Sequence, residues 1–230
     1  MDWEKYWATH PKTVGRMEYL KQVGRTVKGQ SISDLQFQLI VSHICYHLDL
    51  HKDDVLLDLG CGNGLITKEL AKDCKEVVGL DFSQPLLEVA NQDHRPGNVI
   101  YRHMNILDLD KISQVAKDPF NKVLMYGVLH NLRKRDLVTV LRNILRVCSE
   151  GRVILIGNVP DRGRKWKFYN TLKRRLAHLV RKVSGRETIG TWWDKEFVRR
   201  VCKQLNLQCE FHEQSKELHT SHYRFDVTIF

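Results

Sequence analysis

Residues 55–64 read Val55-Leu56-Leu57-Asp58-Leu59-Gly60-Cys61-Gly62-Asn63-Gly64, and this stretch decides the fold. A short apolar strand runs directly into an Asp-x-Gly-x-Gly-x-Gly turn, and Leu65 to Asp73 then reads as a helix. Glycines without a Cβ let the backbone turn tightly and let a ligand approach it closely. The helix start behind them presents N–H groups that have no intrahelical partner. Seventeen residues after Gly64, a second apolar run, Glu76-Val77-Val78-Gly79-Leu80, ends on Asp81. An acid at the tip of the next strand is suited to gripping a ribose diol.

Two kinds of nucleotide-like ligand use such a turn, and its chemistry separates them. A dinucleotide loop has the spacing G-x-G-x-x-G and receives a pyrophosphate at the helix start. Here the third glycine comes one residue early, and Leu65 stands where that spacing wants glycine. Asp58 at the loop entrance repels a pyrophosphate but suits a cation. S-adenosylmethionine carries an ammonium and a sulfonium and no phosphate. It is the better match, with an NAD(P)-dependent oxidoreductase as the less favoured alternative.

On these residues the chain resembles the class I S-adenosylmethionine-dependent methyltransferases, over roughly residues 35–158. The family pattern has an acid ending strand 1, a Gly-x-Gly turn, an acid ending strand 2, a polar residue after strand 3 and a reaction-centre stretch after strand 4. The matching pieces are Asp58 to Gly64, Asp81-Phe82, Asn105-Ile106 and Tyr126-Gly-Val-Leu-His-Asn-Leu132. The resemblance implies a Rossmann-like, doubly wound sheet of seven mostly parallel strands, the final one antiparallel, with S-adenosyl-L-methionine as cofactor. It implies that Asp58, Gly60, Cys61, Gly62 and Gly64 hold the methionine end and that Asp81 binds the ribose. Phe82 and Ile106 then sandwich the adenine, Asn105 reaches its amino group, and Tyr126 lies beside the cofactor. The adenine position is commonly Asp in the family, so Asp108 is the alternative to Asn105.

At 230 residues and 42% hydrophobic, the chain can bury one sizeable core. The expected organisation is one domain over 1–230. It divides into a helical cap (1–50), a cofactor-binding core (51–158), a basic insertion (159–192) and a C-terminal helix with closing strands (193–230). Ser33 is placed to cap a helix running to about Leu48. Strands are expected near 54–59, 76–81, 98–104, 122–127, 152–158, 207–213 and 223–229. Helices are expected from Ser83-Gln84-Pro85 to Gln92, near 134–148 and over 194–205. No apolar run reaches the length of a membrane span. The charged, aromatic N-terminus is unlike a signal peptide, and six scattered cysteines without C-x-x-C pairs fit a reduced cytoplasmic chain.

Residues 162–186 hold ten Lys or Arg and no Asp or Glu, which accounts for the whole formal charge of +10. Trp166, Tyr169, Leu172, Leu176, Leu179 and Val183 form one apolar stripe at helical spacing. The ordinary reading docks that stripe on the domain and leaves the charge in solvent. The functional readings are a peripheral contact with an anionic membrane, a nucleic-acid contact, or recognition of an anionic substrate. No base-reading motif accompanies the charge, so the expected acceptor is small or lipid-linked and anionic, methylated on O or N. An RNA-methylating or RNA-binding protein of the same fold is the alternative. His130, after strand 4, is the first candidate general base and His222 the second. No metal site is expected, since His219-x-x-His222 has no third ligand nearby. His43 and His47, at i and i+4, read as structural, and Trp192-Trp193 as packing or as walls of the acceptor pocket.

Overall fold

The computed structural model describes residues 2–112, 118–184 and 189–230, and Arg186 of the basic run lies outside them. Seven strands make one sheet: β1 (Val55–Leu59), β2 (Glu76–Asp81), β3 (Val99–His103), β4 (Phe120–Tyr126), β5 (Cys148–Pro160), β6 (Cys209–Glu213) and β7 (Arg224–Ile229). Their spatial order is β3-β2-β1-β4-β5-β7-β6. The first five pair in parallel, and β7 is antiparallel to both β5 and β6. The expected Rossmann-like sheet is therefore present, and its order reverses between β1 and β4. Crevices outside the carboxyl ends of strands at such a reversal are where open α/β sheets take ligands.

Along the chain the helices are α1 (Trp3–Thr9), α2 (Tyr19–Gln22), α3 (Asp34–Leu48), α4 (Leu65–Leu70), α5 (Gln84–Asp93), α6 (Asp136–Val147), α7 (Lys165–Phe168), α8 (Leu172–Val183) and α9 (Lys195–Gln204). Ser33 caps α3 as expected, its Oγ accepting from the Gln36 N–H at 3.3 Å. Phe37, Ile40, Val41, Ile44 and Leu48 put one face of α3 into the apolar layer on that side of the sheet. A second layer, built on Leu57, Leu80, Val123, Ile156 and Trp193, fills the other side. The helix expected to reach Asp73 ends at Leu70 and tightens into a 3₁₀ turn over Ala71–Asp73.

Two departures from the sequence reading have physical causes. The closing strand alternates apolar and polar residues, which predicts one wet face, yet all six residues of β7 are buried. β7 lies between β5 and β6, and α3 covers its polar side. His43 Nε2 meets the buried Asp226 carboxylate at 2.7 Å, and His212 Nε2 pairs with the Thr228 hydroxyl at 2.9 Å. His43 thus serves the fold, as does His47, which packs against His212 with ring centroids 4.0 Å apart. Burial beside the other two imidazoles lowers the pKa of His47 to about 4.

The basic insertion departs further. It is not one helix but a 3₁₀ turn over Arg162–Arg164, the short α7, a break at Tyr169–Thr171, and then α8. Of its apolar stripe only Tyr169 docks, packing with Trp192 and Tyr223. Leu172, Leu176, Leu179, Val180 and Val183 on α8 are 53–91% exposed, and Trp166 is 51% exposed.

Candidate active site

The sheet reversal opens into a cleft of about 1280 Å³, bounded by the glycine turn, the tips of β2 and β4, α1, and the turn before β7. The glycine turn is pinned to β2: the Gly60 and Cys61 N–H groups both donate to the Leu80 carbonyl, at 2.7 and 3.0 Å. Gly60, Gly62 and Gly64 all have positive φ, at +77°, +58° and +75°. A side chain at Gly60 would collide with Val128, and one at Gly64 with the Tyr101 ring. Gly60, Cys61 and Gly62 face the cleft, whereas Gly64 serves packing under Tyr101 and does not line it.

Two carboxylates define one end of the cleft. Asp81 is 7% exposed and accepts from the Gly62 N–H and the Ser83 N–H, both at 2.8 Å. Asp58 is 3% exposed and accepts from the Thr67 hydroxyl at 2.6 Å. Burial pushes each carboxyl up to about 6, and these hydrogen bonds offset only part of that cost. Among the described residues neither acid has an ion-pair partner, although Arg25 acts on Asp58 and His103 on Asp81 from further off. Two such buried acids suit a positively charged ligand. The glycine turn leaves backbone, not side chains, against the space beside them. The residues present fit S-adenosylmethionine.

The N-terminal segment roofs this end. Trp3, Tyr6 and Trp7 of α1 line the cleft, and the Ser83 hydroxyl donates to the Trp7 carbonyl at 2.7 Å. Phe82, Asn105 and Ile106 line it from the opposite wall. The Asn105 amide oxygen already caps the following 3₁₀ turn, accepting from the Leu107 N–H at 3.0 Å, and its amide nitrogen donates to Glu4 at 3.3 Å. Asp108 lies outside this cleft, along a shallow groove with Glu4, Phe82 and His103.

Two arginines, Arg25 and Arg224, also line the cleft, and the sequence reading missed them. The Arg25 guanidinium carbon sits 5.1 Å from the centroid of the buried Tyr126 ring. Arg224 is 7% exposed; one of its guanidinium nitrogens donates to the Asn158 carbonyl, while its Nε has no partner. Among the described residues neither guanidinium meets a carboxylate at ion-pair distance. Burial pushes the Arg25 guanidinium down, Tyr126 and the Asp58 carboxylate offset part of that, and the Arg224 charge adds a smaller push downward. Asn158 stands beside them with φ +60° and a buried, unpartnered Oδ1. Arg224 escaped the sequence reading because it falls on the polar side of an alternating strand, a side expected to face water. Arg25 sits in a segment without periodicity.

His130 lines the cleft with a buried, unpartnered Nδ1, and its ring meets the Trp3 ring edge-on at 5.8 Å. Burial first, and then the Arg224 charge, lower its pKa to about 3, so it is neutral at physiological pH. His222 is exposed and outside the cleft, which corrects its candidacy as a base. The turn before β7 directs His219 and Thr220 inward instead. Trp192 and Trp193 do not wall the cleft either. Trp193 is fully buried and donates to the Leu129 carbonyl at 3.0 Å, and Trp192 packs on Tyr169 and Tyr223. Among the described residues no three His, Cys, Asp or Glu side chains converge on a metal-sized site. None of the described helices is long and apolar enough to cross a membrane.

Residues 56–151 match the family described as a methyltransferase domain. That matched region is a methyltransferase domain of the class I S-adenosylmethionine-dependent type. It is 30% identical over 139 residues to a ubiquinone biosynthesis O-methyltransferase of Mesorhizobium japonicum, covering 60% of this chain and 48% of that one. It is 26% identical over 187 residues to juvenile hormone acid O-methyltransferase of Bombyx mori, covering 75% of this chain and 62% of the relative. The chain thus spans about half the length of several curated relatives that it matches. Among solved structures, the magnesium protoporphyrin IX methyltransferase of Synechocystis with bound S-adenosylhomocysteine superposes with a TM-score of 0.65 at 12% identity. That match covers 98% of this chain and 96% of the other, and at this identity it speaks for the fold alone.

Proposed function

We propose that this protein transfers the methyl group of S-adenosylmethionine to a small acceptor that carries a carboxylate or phosphate. The observation that carries the reading is the charge of the cleft lining: buried Asp58 and Asp81 beside the glycine turn, with Arg25 and Arg224 lining the same cleft. When bound, S-adenosylmethionine supplies an activated methyl electrophile. The protein's task is then mainly alignment.

In this reading Asp81 holds the ribose hydroxyls, and Asp58 compensates the ligand's positive charge beside the glycine turn. Phe82 and Ile106 flank the adenine, and Asn105 contributes through whatever capacity its oxygen retains beyond capping. Tyr126 forms part of the floor, beside Arg25. Arg25 and Arg224 receive the acceptor's anionic group, and their unpaired donors make a neutral acceptor a poor match. His130, neutral and with a free Nδ1, accepts a hydrogen bond from the acceptor nucleophile and orients it. A conjugate acid with a pKa near 3 makes it a weak proton acceptor. Support for the anionic acceptor also comes from the acid named for the silkworm relative.

Calorimetric titration with S-adenosylhomocysteine and with NAD tests the cofactor. Binding of NAD with no response to S-adenosylhomocysteine would overturn the assignment. A labelled-cofactor screen of free acids against their neutral esters and amides tests the acceptor. Transfer restricted to the acids, with KM raised in Arg224→Gln, is expected. Equal transfer to the neutral analogues would remove the role given to the two arginines.

A further inference from the structure

Helix α8 is attached the wrong way round for a surface helix. Its apolar residues Leu172, Leu176, Leu179, Val180 and Val183 fall within one arc and are all exposed. Contact with the protein is made from the opposite side. His178 is 2% exposed and stacks on Tyr169, with centroids 4.3 Å apart and an interplanar angle of 23°. Arg174 and Arg175, in the first turn, reach back to the carbonyls of Phe168 and Tyr169 at 3.4 and 3.1 Å. Helical surface residues ordinarily place the apolar arc on the core. Here five large aliphatic side chains project into solvent together.

The charge around that arc names what covers it. Residues 162–186 carry ten Lys or Arg and no acid. Lys173, on one border of the arc, is exposed, as are Arg174 and Arg181 behind it. A second copy of this surface would bring like charge onto like charge. A nucleic acid would use the cations but leave the leucines uncovered, because aliphatic side chains offer bases no stacking face. A basic helix with an aliphatic face matches the boundary between anionic headgroups and acyl chains.

We propose that α8 lies on an anionic phospholipid surface, its Leu172–Leu176–Leu179–Val183 side turned into the headgroup–acyl boundary. The helix joins the body through Tyr169, which packs with Trp192 and Tyr223, and Phe168 and Tyr223 line the cleft. Docking of α8 therefore brings the cleft close to the lipid. Membrane attachment does not depend on the methyl-transfer reading and stands or falls separately.

The test is sedimentation of the full chain with two kinds of vesicle. One is phosphatidylcholine alone, and the other is three parts phosphatidylcholine to one part phosphatidylglycerol. Binding is expected only to the mixed vesicles and is expected to weaken as salt rises. The double variant Leu176→Gln/Leu179→Gln should lose on the order of tenfold or more in vesicle affinity. Lys173→Gln/Arg181→Gln should weaken it as well, and both variants should bind S-adenosylhomocysteine as the wild type does. No binding to the mixed vesicles overturns the proposal, and so does equal binding to both kinds. Salt-sensitive binding to poly(U) that survives the leucine changes would assign the surface to nucleic acid instead. A concentration-dependent dimer abolished by the leucine changes would assign it to a second copy, and either result refutes lipid docking.

Discussion

Replacing Asp81 by Asn should separate ligand binding from folding, with a large effect on the first and a small one on the second. The carboxyl is 7% exposed, and its pKa stands at about 6 against an ordinary 3.8. At neutral pH the fold therefore carries an ionised group it disfavours, at a cost of roughly 3 kcal/mol by 1.36 kcal/mol per pKa unit. Asn removes that cost. It also gives up one of the two N–H bonds from Gly62 and Ser83, a loss of about 1–3 kcal/mol. The two changes nearly cancel, so the ligand-free Asp81→Asn protein should melt within a few degrees of wild type. Ligand affinity has no such compensation. Losing charge-assisted bonds to the ribose hydroxyls costs about 1.5–3 kcal/mol, or roughly 10- to 150-fold in S-adenosylhomocysteine affinity. Thermal melts of the free protein with calorimetric titrations at pH 7.5 measure both quantities. Unchanged affinity in a folded Asp81→Asn protein would refute the reasoning. A melting point lowered by more than about 10 °C would show instead that the carboxylate is there for the fold.

The same carboxyls give pH dependence of a definite sign. Their raised pKa values mean that Asp58 and Asp81 take up protons as pH falls through about 6, and the cleft loses its negative charge. S-adenosylhomocysteine should bind more weakly at pH 5 than at 7.5, by roughly tenfold per carboxyl that binding returns to an ordinary pKa. Their contribution to the stability of the ligand-free fold runs the other way: it is full below about 4 and is lost as pH rises through about 6. Proton release measured by titration in buffers of different ionisation enthalpy checks the first sign, and melts across pH check the second. Gly60→Ala should abolish binding, because φ is +77° there and the new methyl meets Val128; an unaltered titration would contradict the assigned geometry. Lys122 is 8% exposed and donates to the Leu48 and Asp49 carbonyls at 2.6 and 2.9 Å, closing the end of α3. Lys122→Met should orphan both acceptors, cost about 2–4 kcal/mol and lower the melting point by roughly 5–12 °C, with little effect on ligand affinity.

Much of the cleft lining beside the glycine turn could be read from local pattern. Asp58, the glycines and Asp81 announce themselves because a tight turn needs positive φ, and because consecutive strand tips lie together in any parallel sheet. Gly64 shows the limit of that logic. It obeys the same backbone demand but faces Tyr101, not the cleft. Asn105 likewise stands where the pattern puts it, yet its oxygen is engaged in capping.

The two arginines were hidden for a different reason. Arg25 and Arg224 are 199 positions apart in the chain and meet only because β7 inserts between β5 and β6 while the N-terminal segment folds over the glycine turn. His219 and His222 share one short turn, and only its path decides which enters the cleft. The orientation of α8 is the clearest case. Its sequence specifies an amphipathic helix, and periodicity alone assigns the apolar side to the core. His178 stacking on Tyr169 reverses that and turns the leucines outward. Periodicity is a property of one helix and survives in the sequence. Which side of that helix meets the protein is a property of two surfaces, and it exists only once the chain has brought them together.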